Sequence, residues 1–361
     1  MSFIPTAGTL VAIIVGAFLA AAAVAFLTTP VIKRIVDRLR IVDQPGERRV
    51  HASPLPRGGG VAVVVAFLVV GGGLIVFGPA IPGMPLPRDA DDVVPLNLLG
   101  LFGGAIAAAV FGAIDDRFDL RARWQFLAQV GLAAIAVGTG ITVTYIANPF
   151  GAGRIPFPDP IAIGFTVVWI VGMINSLNFI DGLDGLSTGI ALIAAVVLGL
   201  LSLTQQVDQP LVAVLCFALA GGLLGFLRWN FHPAVIFQGT AGVMFLGYVL
   251  GVLSILGQAK VIAALLVLAV PIIDTFWVIV RRLSSGRSPF SPDRGHIHHR
   301  LLDVGLSHRG TVLLIYAVCA TLGLMSLLVS SSIGVLAFVV ALVGFGVVAF
   351  LLRRDPEEVA S

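Results

Sequence analysis

Asp115 and Asp116 stand side by side at the end of an apolar run, followed by Arg117 and Asp119. Like charges at a membrane edge repel, so a fold that keeps them together usually supplies a cation or a phosphate-bound metal. The plainer alternative is a pair of solvated acids where one helix ends and the next begins. Asn175, Asn178, Asp181 and Asp184 recur every third residue within NSLNFIDGLDGL. Three residues turn a helix by ~300°, so an unbroken helix would put the first and last on opposite faces. Gly182 and Gly185 offer a break that could turn the second pair back, or they punctuate a helix end. His296, His298, His299 and Arg300 form a third group with charge-assisted donors suited to phosphate. No cysteine lies near it, and the zinc-protease spacing is missing.

A fourth group, Asp43, Pro45, Arg48, Arg49, His51, Pro54, Pro56 and Arg57, runs into Gly58-Gly59-Gly60. Its prolines oppose a helix and its glycines let the backbone approach a ligand, although a basic anchor to anionic lipid reads equally well. Asp274 lies seven residues before Arg281, roughly 10 Å inside an apolar run. It requires a partner, structural or catalytic.

The elements that must position these groups follow from composition. Of 361 residues, 58% are hydrophobic and 11% charged, and the mean hydropathy is +1.04. That excludes a soluble protein of this size. The apolar runs are continuous rather than alternating, which excludes an outer-membrane barrel. The expected fold is an all-α polytopic membrane protein of one domain, with about eleven transmembrane helices near 8–29, 59–78, 96–114, 125–146, 161–177, 187–204, 211–227, 243–257, 260–280, 311–329 and 334–352. The first run has no basic flank and reads as a retained span. Ile141 to Pro160 reads as a small outer hairpin rather than helix. Cys216 and Cys319 lie in separate apolar runs and read as small core residues.

Of the 22 basic residues, 19 fall on the side of the C-terminus, leaving Arg88, Arg154 and Lys260 opposite. The positive-inside rule then puts the N-terminus outside and the C-terminus in the cytoplasm. Segments 30–58, 115–124, 178–186, 228–242 and 281–310 become cytoplasmic loops, and all six histidines lie on that face. The net charge of +3 is thus topogenic, and no nucleic-acid partner is expected. Internal repeats, which a transporter would favour, are not apparent. The collected groups suit a phosphorylated, metal-associated substrate meeting a lipid.

Several long motifs in one order resemble the polyprenyl-phosphate N-acetylhexosaminyl-1-phosphate transferase family. They are DQPGERRVHASPLPRGGG from Asp43, GAIDDRFDL from Gly112, NSLNFIDGLDGLSTG from Asn175, NFHPAVIF from Asn230, PIIDTFWVIVRRL from Pro271 and PDRGHIHHRLLDVGLSHR from Pro292. The HPA and HIHHRLL segments look more like the GlcNAc-1-phosphate branch. The resemblance implies that undecaprenyl phosphate attacks the β-phosphorus of a UDP-N-acetylhexosamine and releases UMP with Mg²⁺ (or Mn²⁺), at the cytoplasmic face of the bacterial inner membrane. Membrane lipids are the remaining partners, and a homodimer is left open. Asp115, Asp116, Asp181 and Asp184 would be catalytic, with Asp115, Asp116 and Asn178 at the metal. Asn175, Asn178, Arg57, His296, His298, His299 and Arg300 would bind substrate.

One departure stands out. Where the family usually carries a metal-binding aspartate after NFHPA, this chain reads Gln238-Gly239-Thr240-Ala241-Gly242-Val243. Gln125 likewise replaces a common basic residue. A hydroxyl is a poor Mg²⁺ ligand. Two expectations follow: a transferase whose other carboxylates hold the metal, or a scaffold that binds nucleotide or lipid phosphate without turnover.

Overall fold

The computed structural model describes residues 7–43, 55–86, 95–148, 153–205, 207–256, 261–288, 295–328 and 331–351. Pro45, Arg48, Arg49, His51, Pro54, Arg88, Lys260, Arg294 and the tail arginines lie outside them.

Every apolar run becomes helical. The helices are α1 (Ala7–Arg38), α2 (Val61–Phe67), α3 (Gly73–Phe77), α4 (Leu96–Phe118), α5 (Ala122–Gly138), α6 (Asp159–Ile180) and α7 (Leu186–Ser202). They continue with α8 (Pro210–Asn230), α9 (Gly239–Ile255), α10 (Val261–Val267), α11 (Ala269–Ser284), α12 (Ile297–Asp303), α13 (His308–Leu328) and α14 (Ser331–Leu351). A π-helical turn over Leu68–Gly72 joins α2 to α3. Among the described residues, six helical segments are long and apolar enough to cross a membrane, or seven if α10 and α11, bent by 78°, form one span. Helices α5, α7 and α9, of 17 residues each, are shorter.

Two boundaries differ from expectation. The first helix continues through Pro30 to Arg38 rather than stopping before the basic loop. Pro30 has no N–H for the carbonyl of Phe26, and the Trp229 indole donates to that oxygen instead, at 3.2 Å. The fourth run ends its helix at Gly138, because the chain then enters the hairpin of β3 (Tyr145–Ala147) and β4 (Arg154–Pro156). These strands pair antiparallel, Ile146 opposite Ile155, with the Arg154 guanidinium 4.3 Å above the Tyr145 ring.

The core lies along α8 and α9. Every residue of α9 is buried, and α4, α6 and α7 pack around it. Small residues set the spacing: a Cβ at Gly225 would meet the Ala22 carbonyl oxygen at 2.2 Å, so α1 and α8 touch backbone to backbone. Cys216 and Cys319 are buried and form no disulfide among the described residues, in keeping with their apolar surroundings.

Short non-helical segments sit where the site groups are. After β1 (Val42–Asp43) and its antiparallel partner β2 (Leu55–Pro56), the chain runs beside the start of α9. Phe237 N–H donates to the Pro56 carbonyl at 2.8 Å, Gly59 N–H to Phe237 at 2.7 Å and Gly60 N–H to Gln238 at 2.8 Å. A Cβ on Gly60 would lie 2.3 Å from Gly242 Cα, so this seam requires glycine on both sides. It brings Arg57 to α9.

Candidate active site

Asp116 is 2% exposed and is held by three donors. Thr240 N–H donates to its Oδ1 at 2.8 Å, Ala241 N–H to its Oδ2 at 3.0 Å, and Arg57 Nε lies 2.8 Å from Oδ1. Arg57 Nη2 also donates to Thr240 Oγ1 at 2.8 Å. The carboxylate therefore caps the N-terminus of α9 and faces a guanidinium, two favourable electrostatic partners. Asp115 points to a different element. Its Oδ1 accepts from Gln125 Nε2 at 2.8 Å and from Leu120 N–H at 3.1 Å, which ties the turn between α4 and α5 to the end of α4.

The NSLNFIDGLDGL motif breaks where its glycines suggested. Helix α6 ends at Ile180, and Gly185 adopts φ +77°, a left-handed conformation that starts α7 in a new direction. Asp181 and Asp184 thus lie on a turn rather than on one helix. Ser187 donates to Asp181 Oδ1, and the Ser187 and Thr188 hydroxyls meet the buried Gln238 amide at 2.7 and 2.6 Å. Thr188 also donates to Asn230 at 2.7 Å. Gln238 thereby links the Asp181 turn to the start of α9. Asp184 Oδ2 lies 2.7 Å from His232 Nδ1 and accepts from Ala234 N–H at 3.1 Å.

The histidine group closes over this turn. A Cβ on Gly182 would lie 2.3 Å from His298 Nε2, so glycine is required for the approach. His298 is 1% exposed, and neither ring nitrogen has a hydrogen-bond partner among the described residues. Burial pushes its pKa well below the ordinary imidazole value, and His299, His296 and His308 add to the shift. His296 is anchored from α11: its Nδ1 lies 2.7 Å from Asp274 Oδ2, while Ile297 N–H donates to Asp274 Oδ1 at 2.9 Å. The partner required by Asp274 is therefore His296 with the start of α12. His299 is buried beside His298, ring centroids 4.3 Å apart, and Arg300 is half-buried on the same helix.

Asn175 stays apart from these contacts. Its Nδ2 donates to Gln129 Oε1 at 2.6 Å, an amide pair between α6 and α5, about 9 Å back along the helix from Asp181. Asn178, half-buried one turn before Asp181, makes no hydrogen bond among the described residues. Ser187, Thr188, His232, Gln238 and His308 were not singled out as site residues from the sequence. The hydroxyl pair directly after a glycine turn was the available signal for the first two.

The oxygen donors limit how a metal could sit. Asp116 has both oxygens engaged by the chain, and Thr240 already accepts from Arg57. Asp115 Oδ2, Asp184 Oδ1 and the Asn178 amide carry no hydrogen bond among the described residues. The donors that converge are Asp184, His232 and His308, within 4.8 Å of one another. However, the two imidazoles stack at 4.1 Å with planes 19° apart, so one ion cannot lie in the plane of both rings. The residues fit Mg²⁺ held by one or two carboxylates and mostly by substrate phosphates, not a prebuilt cage.

The ends of α6, α8 and α12 bring Asp181, Asp184, His232 and His298 together at one turn. The profile described as Glycosyl transferase family 4 matches residues 98–258. A relative from Bacillus subtilis (strain 168), a probable undecaprenyl-phosphate N-acetylglucosaminyl 1-phosphate transferase, is 34% identical over 84% of this chain and 82% of its own. The decaprenyl-phosphate N-acetylglucosaminephosphotransferase of Mycobacterium leprae (strain TN) is 33% identical over 82% and 79%. An undecaprenyl-phosphate alpha-N-acetylglucosaminyl 1-phosphate transferase of Escherichia coli O157:H7 is 28% identical over 84% and 78%. The chain belongs to this family of polyprenyl-phosphate N-acetylhexosaminyl-1-phosphate transferases. It is by class a phosphoglycosyl transferase.

Proposed function

We propose that this chain transfers N-acetylhexosamine 1-phosphate, with GlcNAc-1-phosphate the first choice from the relatives' names, from a UDP-sugar to undecaprenyl phosphate. A phosphate oxygen of the lipid forms a bond to the β-phosphorus, and the bond from that phosphorus to the bridging oxygen breaks. UMP leaves with the electron pair. Catalysis of this kind rests on positioning and charge neutralisation.

The observation that carries the reading is convergence on the turn 181–185. The Arg57–Asp116–Thr240 clamp reaches it through Gln238 and Ser187, and the histidine arm reaches it through His298 against Gly182. In this reading the Asn178 amide N–H donates to incoming phosphates, and Asp115 Oδ2 meets them only through the metal. His298, neutral and without a partner, offers one ring nitrogen as a donor to a diphosphate or sugar oxygen. A Mg²⁺ carried in by the diphosphate would be held by Asp115, Asn178 and Asp184, and would neutralise charge developing on the leaving phosphate.

The eleven helical runs are read as eleven spans, with the N-terminus outside and the site at the cytoplasmic face of the bacterial inner membrane. The bias of basic residues supports that orientation. One observation favours binding without turnover: the chain itself satisfies every oxygen of Asp116 and the hydroxyl of Thr240. Purified membranes supplied with radiolabelled UDP-GlcNAc and undecaprenyl phosphate, with and without Mg²⁺, separate the two readings. Mg²⁺-dependent lipid-linked label supports transfer; retained UDP-GlcNAc binding with no labelled lipid supports the binding scaffold.

A further inference from the structure

We propose that Asp274 is a positioning residue for the histidine arm: one buried carboxylate both starts α12 and holds the His296 ring with its proton on Nδ1, so that the unprotonated Nε2 is offered as an acceptor to a hydroxyl or N–H of the ligand. Asp274 is 2% exposed and sits in α11, 22 residues before His296. Its two oxygens are divided between two jobs, Oδ1 taking Ile297 N–H at 2.9 Å and Oδ2 taking His296 Nδ1 at 2.7 Å. An ionised carboxylate only accepts hydrogen bonds, so His296 Nδ1 must be the donor. The other ring nitrogen, Nε2, is then the acceptor of this tautomer.

The surroundings leave the ring little other freedom. Phe179 packs at 5.8 Å on one side, and His298 lies nearly parallel at 5.7 Å with an interplanar angle of 12°. Arg282, 6% exposed on the same helix as Asp274, places its guanidinium 5.9 Å from the Phe179 ring. Arg281 lies against Gly295, the residue just before His296. Asp274 is therefore the acidic group that faces His296 in a setting that includes Arg281, Arg282 and the neighbouring His298. Helix α12 has only seven residues, too few to be stable alone, so a cap from a neighbouring helix decides whether His298 and His299 are presented at all.

The kinetic arm of the test rests on the transfer reading above; the spectroscopic arm does not. Asp274→Asn keeps the cap, because the amide oxygen can still accept from Ile297 N–H. Its NH₂ must then donate to His296 Nδ1, which moves the ring proton to Nε2. The full-length protein carrying ¹⁵N-histidine, in lipid nanodiscs, reports the tautomer of His296, assigned by the His296→Gln variant. The expected result is a proton on Nδ1 in the wild type and on Nε2 in Asp274→Asn, with an unchanged unfolding temperature. Transfer kcat/KM falls roughly 10- to 100-fold, the range for losing a charge-assisted hydrogen bond. In the His296→Gln background Asp274→Asn causes no further loss.

An unchanged tautomer, an unchanged rate, or a full additional loss in the His296→Gln background overturns the proposal. If Asp274→Asn fails to fold, Asp274→Glu is measured instead. It should keep the Nδ1 proton while displacing the ring and slowing transfer, and an unaltered rate refutes positioning. A wild type that gives no lipid product under any condition defeats the transfer reading, while the tautomer comparison still decides the role of Asp274.

Discussion

Replacing Arg57 by Gln tests the clamp at the start of α9. Arg57 is 25% exposed and Asp116 2%, so the variant leaves a buried carboxylate facing only two backbone N–H groups. Breaking a buried ion pair on one side costs about 3–5 kcal/mol. The N-terminus of α9 remains and offsets about 1 kcal/mol of that. Losing the hydrogen bond to Thr240 adds about 1 kcal/mol. The net expectation is a loss of about 4 kcal/mol in unfolding free energy, read by titrating detergent-solubilised protein with SDS in mixed micelles. Thr240→Val should cost only about 1 kcal/mol, since it removes one neutral acceptor. Arg57→Lys should fall between, because a single ammonium lacks the planar fork that reaches Asp116 and Thr240 together. In an Asp116→Asn background Arg57→Gln should lose most of its effect, a coupling of about 2–3 kcal/mol. A wild-type-like Arg57→Gln, or costs that add within about 0.5 kcal/mol, would refute the clamp.

Thr240→Asp places a second carboxylate beside Asp116 with Arg57 as the neighbouring cation. It should lower stability without divalent ions, gain more from Mg²⁺ than the wild type does, and raise transfer activity; equal Mg²⁺ shifts in unfolding temperature would contradict this. Gly60→Ala drives a methyl to 2.3 Å from Gly242 Cα and should separate the seam beside α9, costing several-fold in folded yield after extraction. His298 has a depressed pKa when folded, so the unfolded chain binds more protons once the pH drops below about 6.5. Stability from this group is present above that pH and is lost on acidification, by about 1 kcal/mol for the first unit below it. His298→Gln should flatten the dependence of unfolding temperature between pH 7.5 and 5.5.

Much of this organisation was legible from residue types. Continuous apolar runs became helices, the hairpin expected over 141–160 formed with strands at 145–147 and 154–156, and the glycines of NSLNFIDGLDGL turned the chain as their missing Cβ permits. Pairings across long separations were not legible. Periodicity places Asn175 on a helix face, but only packing shows that Gln129, 46 residues away, meets it there. Thr240 reads in the sequence as a missing carboxylate; in the fold its hydroxyl accepts from Arg57, 183 residues earlier, and its N–H caps Asp116. Pro30 looked like a helix end because its compensation comes from Trp229, 203 residues on. Such contacts depend on which helices become neighbours, which local propensity does not encode.

The bond that breaks is the most direct measure of the account. UDP-GlcNAc carrying ³²P at the β-phosphorus and ¹⁴C in the sugar is incubated with the purified chain, undecaprenyl phosphate and Mg²⁺. Both labels should enter the lipid in equal amounts, with one UMP released for each. Sugar label in the lipid without phosphorus, or UDP rather than UMP as the released nucleotide, would contradict transfer of the sugar phosphate at this site.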